Sequence, residues 1–273
     1  MTLLALAQLG RGVVPLDEPV LHADDEGVLR GRSVFETLRV YGGRPFMLDA
    51  HLARLAASAA RLRLPAPPHD ELAALAHDAI AAAGTPDATL RFLWTAGREG
   101  VGVPLGLALV SPVPPGYDEL RERGLRVAVV RWAAGALAGA KSTSYAENIA
   151  AQAEAAERGA DDALLVADDD TVLEAPTSNV WFREGATLHT PTLALPLLAG
   201  VTRAVIRELA PPAGYTVEEG VYPLDRLLAA DEVFLSSSVR EIAPVVAVDD
   251  RPLARGPAAS ALQAALRRYA GAV

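Results

Sequence analysis

The segment Ser111-Pro112-Val113-Pro114-Pro115-Gly116 places three prolines and a glycine within six residues. Proline has no amide hydrogen for a helix or a sheet ladder and fixes its own φ, so neither a helix nor an inner strand can run through this stretch. The stretch is the clearest linker signal in the chain, and we place a domain boundary there, with parts at residues 1–112 and 117–273 and 111–116 as the linker. With 273 residues, 51% of them hydrophobic, the chain has apolar material for one large domain or two smaller ones, each with its own core.

In the first part the short apolar opening, residues 1–9, reads as a strand; it lacks the basic flank of a signal peptide. Ser33–Val40 reads as a strand closed by Tyr41-Gly42-Gly43. Asp49–Leu62 follows as an alanine-rich helix with Leu52, Leu55, Ala59 and Leu62 on one face, and Asp70–Ala83 as a second helix ended by Gly84. Leu90–Thr95 and Leu105–Val110 complete a small α/β domain. In the second part, Leu125–Arg131 is a predicted strand and Tyr145–Arg158 a predicted helix ending at Gly159. Short strands follow at Ala163–Ala167, Thr171–Glu174, Asn179–Phe182 and Thr187–His189, with Asp168-Asp169-Asp170 as a hairpin turn. Arg203–Leu209 is a predicted helix, and Glu232–Leu235 and Val245–Val248 are later strands. The predicted fold class is α/β (α+β), and no period of about 20–50 residues repeats.

Composition narrows the function classes. A formal net charge of -9 and a pI near 5.1 leave no broad basic surface for a phosphate backbone, so a small-molecule substrate is expected and nucleic acid is not. No run is long enough to span a membrane, and a cytoplasmic location is expected. Without cysteine there is no disulfide, thiol nucleophile or thiolate metal site. The five histidines are scattered, with no His-Glu-x-x-His, and no metal is expected.

Lysine and arginine total 25, yet Lys141 is the only lysine. A chain that uses arginine wherever a cation suffices keeps a lysine where a guanidinium fails. Arginine does not lose its proton and forms no imine with an aldehyde, whereas a lysine amine does both. On composition alone, a surface lysine surviving by chance is the alternative. Lys141 sits among small residues, Gly139-Ala140-Lys141-Ser142, which leave clearance for a bulky group.

Other residues suit the same chemistry. Glu174 is followed by a polar turn, Ala175-Pro176-Thr177-Ser178-Asn179, and a carboxylate facing a pyridine nitrogen keeps it protonated. Leu197-Leu198-Ala199-Gly200-Val201-Thr202 runs into a helix, offering free amides and a hydroxyl to an anion, although Gly-x-Thr before a helix also serves as an N-cap. Ser236-Ser237-Ser238 is a second run of donors. Arg54, on the helix after Asp49, can add a charged fork.

These motifs, in this order, resemble the fold-type IV pyridoxal phosphate enzymes, the class IV aminotransferase family that includes branched-chain and D-amino acid aminotransferases and 4-amino-4-deoxychorismate lyases. The resemblance runs from about Asp24 to Val248. It rests on residues 31–37 (GRSVFET), 51–55 (HLARL), Lys141 with Tyr145, 174–179 (EAPTSN), Thr190-Pro191, 200–203 (GVTR) and Glu232 to Pro244. It implies a small N-terminal α/β domain, a larger C-terminal domain with a barrel-like sheet, a homodimer, and pyridoxal 5'-phosphate as cofactor. Lys141 would be the Schiff-base lysine and proton shuttle, Glu174 the partner of the ring nitrogen, and Tyr145 a neighbour of the ring oxygen. Arg54, Val201, Thr202, Ser237 and Ser238 would grip the phosphate, and Asn179 would join the cofactor-binding set.

Within this family the lyases resemble the chain in having threonine at Thr37, where branched-chain aminotransferases typically carry glycine. A hydroxyl there can relay a proton to a leaving group, although threonine also suits a strand for its shape alone. The expected activity is therefore that of aminodeoxychorismate lyase, which releases 4-aminobenzoate and pyruvate for folate biosynthesis. The alternative is transamination of D-amino or branched-chain amino acids with a 2-oxo acid. Arg30 departs from the aromatic residue that several transaminases have beside the glycine. Arg30, Arg91 and Arg98 are candidates for binding substrate carboxylates. A non-catalytic protein binding phosphate in the two donor runs is a third reading.

Overall fold

A computed structural model describes residues 2–272. They divide into two compact units, one formed by residues up to 114 with 139–144, the other by residues 115–138 with 145–271. Among the described residues no helix is long and apolar enough to cross a membrane.

The first unit is built on a six-stranded antiparallel sheet. Its order is Gly12–Val14, Ala5–Gln8, Leu105–Ser111, Ala88–Thr95, Ser33–Tyr41, Arg44–Pro45. Ser33–Tyr41 alternates as a strand with one covered face must. Val34, Glu36, Leu38 and Val40 are buried, while Phe35, Thr37 and Arg39 are half-buried on the other side. The helices Leu48–Arg61 and His69–Ala83 pack Leu52, Leu55, Leu72 and Leu75 against the buried face, beside Leu38, Leu90 and Phe92. Truncating one of these leucines to alanine costs roughly 2–5 kcal/mol. Gly84 ends the second helix in the left-handed region, with φ of 64°, where a side chain would be strained.

Residues 139–144, expected in the larger part, pack with this unit. Phe35 N donates to Lys141 O at 2.9 Å and Thr143 N donates to Ser33 O at 3.0 Å. The cause is topological: Arg44–Pro45 pairs only with Val40 and Tyr41, so the edge at Ser33–Phe35 is left for the lysine segment to cover.

The second unit is built on an eight-stranded mixed sheet. Its path is Thr216–Gly220, Thr187–Pro191, Asn179–Glu184, Glu232–Ser237, Glu241–Val248, Leu125–Arg131, Asp162–Val166, and Arg251–Pro252 pairs with Glu241–Val248. Ala146–Glu157 packs on Leu125–Arg131 and Asp162–Val166, and Ala258–Tyr269 on Glu241–Val248. Thr171–Glu174, predicted as a strand, forms only isolated bridges. Leu173 N donates to Leu165 O while Val172 N donates to Tyr222 O, so the segment divides its hydrogen bonds between two neighbours and no ladder develops. The turn before it does form, with Ala167 N donating to Thr171 O at 2.9 Å. The helix predicted at Arg203 starts two residues earlier, at Val201, with Gly200 as its N-cap.

Candidate active site

In the first unit the lysine is held through its backbone. Lys141 N donates to Ser58 Oγ at 3.1 Å, its carbonyl takes the Phe35 amide, and Nζ lies 4.4 Å from the centroid of the Phe35 ring. Phe35 and Thr37 share one face of their strand. Across from Thr37 stands Arg91, whose Nε donates to Thr37 Oγ1 at 3.3 Å and whose guanidinium carbon is 5.4 Å from the Phe35 centroid. The sheet thus gathers Lys141, Phe35, Thr37 and Arg91.

On the other face lies a buried charged cluster. Arg54 donates from Nε to Glu36 Oε1 and from Nη2 to Glu36 Oε2, both at 2.7 Å, and His51 Nδ1 lies 2.7 Å from Glu36 Oε2. The side chains of Glu36 and His51 are 0% exposed and that of Arg54 12%. Burial alone would raise the Glu36 pKa, but the Arg54 hydrogen bonds and charge, joined by those of His51, outweigh it and hold the carboxyl at about 2, against an ordinary 4.5. Burial pushes the His51 imidazole pKa down, more than Glu36 lifts it. Arg54, expected on a phosphate, is thus anchored on a carboxylate.

In the second unit the polar groups converge on backbone. Glu174 accepts from Leu198 N at 3.2 Å and from Asn179 Nδ2 at 3.1 Å, and Asn179 Nδ2 also donates to Leu198 O at 3.0 Å. Two residues on, Gly200 caps the helix Val201–Leu209 with no side-chain capping bond, leaving the amides of its first turn to an anion. A Cβ at Gly200 would collide with Asn179 Oδ1, so glycine is required by close approach. Val201 and Thr202 are both buried in that turn. The strand Glu232–Ser237 pairs Ser236 with Asn179, which brings the serine run to the same region; Ser236 Oγ is taken by Trp181 Nε1, and Ser237 Oγ accepts from Arg240 N at 3.3 Å, with Ser238 next in the turn. Tyr145 donates its hydroxyl to Pro176 O, which also takes Asn148 Nδ2 at 3.2 Å.

Arg30 and Arg98 are placed differently from Arg91. Arg30 pairs with Glu99, and Arg98 grips both oxygens of Asp24 at 2.8–3.0 Å; each of these four side chains is roughly half exposed. Asp24 is held below its ordinary carboxylate pKa chiefly by the Arg98 hydrogen bonds. Either pair must open before its arginine can take a substrate carboxylate.

Residues 33–248 match the family described as amino-transferase class IV. The chain belongs to that family, the fold-type IV pyridoxal phosphate enzymes. A bifunctional aminodeoxychorismate lyase / D-amino acid transaminase from Mycobacterium tuberculosis is 34% identical over 260 residues, covering 88% of this chain and 90% of its own. An aminodeoxychorismate lyase from Bacillus subtilis is 31% identical over 258 residues, covering 90% and 88%. A solved structure described as a hypothetical aminotransferase from Mycobacterium tuberculosis, PLP-bound form, superposes with a TM-score of 0.91 at 33% identity, covering 97% of this chain and 98% of that one.

The donor set fits the cofactor of a class IV enzyme. The first unit supplies one lysine amine; the second supplies a carboxylate fixed by an amide and an asparagine, and a helix start with no side-chain cap. Several residues that hold these groups escaped the sequence reading. Glu36 had a signal, being the one charge on the apolar face Val34, Leu38, Val40. His51 had one too, since it lies on the buried face with Leu52 and Leu55. Ser58 and the Leu198 amide had none: a serine in an alanine-rich helix and a backbone N–H are chemically anonymous.

Proposed function

We propose that this class IV enzyme is an aminodeoxychorismate lyase, converting 4-amino-4-deoxychorismate to 4-aminobenzoate and pyruvate. The observation that carries this reading is the hydrogen bond from Arg91 Nε to Thr37 Oγ1 on the sheet face where Lys141 Nζ overlies Phe35. Because Arg91 supplies the donor to the oxygen, the Thr37 hydroxyl hydrogen is turned outward as a donor itself. A proton donor beside the lysine is what departure of an enolpyruvyl oxygen needs.

When bound, pyridoxal 5'-phosphate supplies an aldehyde that condenses with the substrate amine and a ring that withdraws electrons from the carbon bearing it. Lys141 would bind the aldehyde and then take the proton from that carbon, and Glu174 would keep the ring nitrogen protonated. Arg54, the amides of Val201 and Thr202, and the hydroxyls of Thr202, Ser237 and Ser238 would hold the phosphate, with Asn179 fixing Glu174 and Tyr145 beside the ring oxygen. Thr37 would relay the proton that the enolpyruvyl oxygen needs on leaving, as the substrate's own ring becomes aromatic. Arg91 would bind one substrate carboxylate, with Arg30 and Arg98 as further cations once their pairs open. A homodimer in the cytoplasm is the proposed form.

The rival is transamination with a 2-oxo acid acceptor, which is favoured by the relative described as both lyase and D-amino acid transaminase. Supplying aminodeoxychorismate without any 2-oxo acid separates the two. The lyase forms 4-aminobenzoate and pyruvate in equal amounts. Turnover only of an amino acid with a 2-oxo acid would make the enzyme a transaminase.

A further inference from the structure

We propose that Glu36 is a positioning residue for the cofactor's phosphate, holding the Arg54 guanidinium in a single orientation, and that His51 locks Glu36 in place. The proposal rests on the reading that Arg54 grips that phosphate.

Arg54 gives two parallel hydrogen bonds to Glu36, which fixes the plane of the guanidinium as well as its position. A fully buried carboxylate cannot leave this fork without losing the cation that holds it, because the solvation it gave up is not restored. Its second oxygen also takes the His51 ring, itself fully buried, so the carboxylate cannot rotate. His51, Arg54 and Ser58 lie at i, i+3 and i+7, one stripe of the helix Leu48–Arg61. At the far end of that stripe Ser58 Oγ takes the Lys141 backbone N–H. One helix therefore ties the phosphate cation to the lysine that would hold the aldehyde.

Two effects of Glu36 on a phosphate oppose each other. Its negative charge weakens the pull of Arg54, while its fork removes the rotamer freedom that a long side chain would otherwise lose on binding. The bidentate fork on a fully buried carboxylate makes orientation the larger effect. An ammonium at position 54 could not be held and presented in this way, since it has no plane to fix.

The test compares apo-protein binding of pyridoxal phosphate with binding of pyridoxal, which lacks the phosphate, followed by visible absorbance and visible circular dichroism. Glu36→Gln should weaken pyridoxal phosphate about tenfold and leave pyridoxal unchanged. His51→Leu should do the same to a smaller extent, and His51→Asn, which restores a donor near Nδ1, should recover the loss. Arg54→Gln should weaken pyridoxal phosphate, with Glu36→Gln adding nothing in that background. If Arg54→Gln has no effect on the phosphate preference, the assignment of Arg54 to the phosphate fails. If Arg54→Gln abolishes the preference while Glu36→Gln leaves it intact or tightens binding, the positioning role alone is overturned. Equal loss of both ligands in Glu36→Gln also overturns it, and should that variant not fold, the His51→Leu and His51→Asn pair decides the same question.

Discussion

The candidate-site groups of the two units are held by different means. In the first, Arg54, Glu36 and His51 fix one another through side chains in a largely buried setting. In the second, Glu174 is fixed by the Leu198 amide and Asn179, and the helix start at Val201 offers backbone amides. A side-chain cluster carries full charges and is strong, but removing one member strands the others. A backbone cup carries partial charges, and no side-chain substitution other than proline removes its amides. The Glu36–Arg54–His51 cluster should therefore be fragile toward mutation and acid, and the helix start at Val201 more tolerant of side-chain changes.

The largest effect belongs to the lysine. Lys141→Ala should lower turnover by about 10³-fold or more and abolish the borohydride-sensitive visible absorbance, measured on protein reconstituted with cofactor. Retained absorbance would place the covalent link elsewhere.

Acid should then separate the clusters. Glu36 titrates at about 2 when folded and near an ordinary 4.5 when free, so its contribution is complete above pH 4.5 and is lost as pH falls toward 2. The difference corresponds to about 3 kcal/mol. His51 works in the same direction: its lowered folded pKa means that the unfolded chain gains the proton first as pH falls below 6.5. Denaturant melts at pH 7 and pH 3 should show a steep loss for the parent protein and a flatter one for Glu36→Gln, which starts lower at pH 7. Parallel losses in both proteins would remove Glu36 from the acid response.

The relay residue should produce a smaller and more selective change. Thr37→Ala should slow pyruvate release about ten- to a hundredfold while leaving exchange of the substrate α-proton nearly unchanged. Equal slowing of both would take Thr37 out of the proton path, and Thr37→Ser should restore it.

The same division between side chain and backbone governs what could be read in advance. Ser33–Val40 was legible because strand alternation writes burial into residue type, and Lys141 and Glu174 could be singled out as candidates because their chemistry is particular to them. The placement of residues 139–144 was not, since it depends on backbone pairing with Ser33–Phe35 across more than a hundred positions. The helix Ala258–Tyr269 was missed for a related reason. Its start is capped by Glu232, which takes the Ala258 and Ala259 amides at 2.9 and 2.8 Å from a distant strand, and its buried stripe is partly alanine. Glu36 could have been found, because a carboxylate on the apolar side of an alternating strand must have a buried partner.

The weakest predicted effect is the sharpest test of the contrast. Thr202→Val removes one hydroxyl from the second unit's helix start while keeping its shape, its N–H and its neighbours Gly200 and Val201. A single neutral hydrogen bond contributes about 0.5–1.5 kcal/mol, so affinity for pyridoxal phosphate should fall only several-fold, less than in Arg54→Gln. Thr202→Pro, which deletes the amide but is sterically tolerable in a first helical turn, should weaken binding more than Thr202→Val does. If valine and proline weaken the cofactor equally, the hydroxyl rather than the backbone carries the grip, and the second unit is a side-chain site like the first.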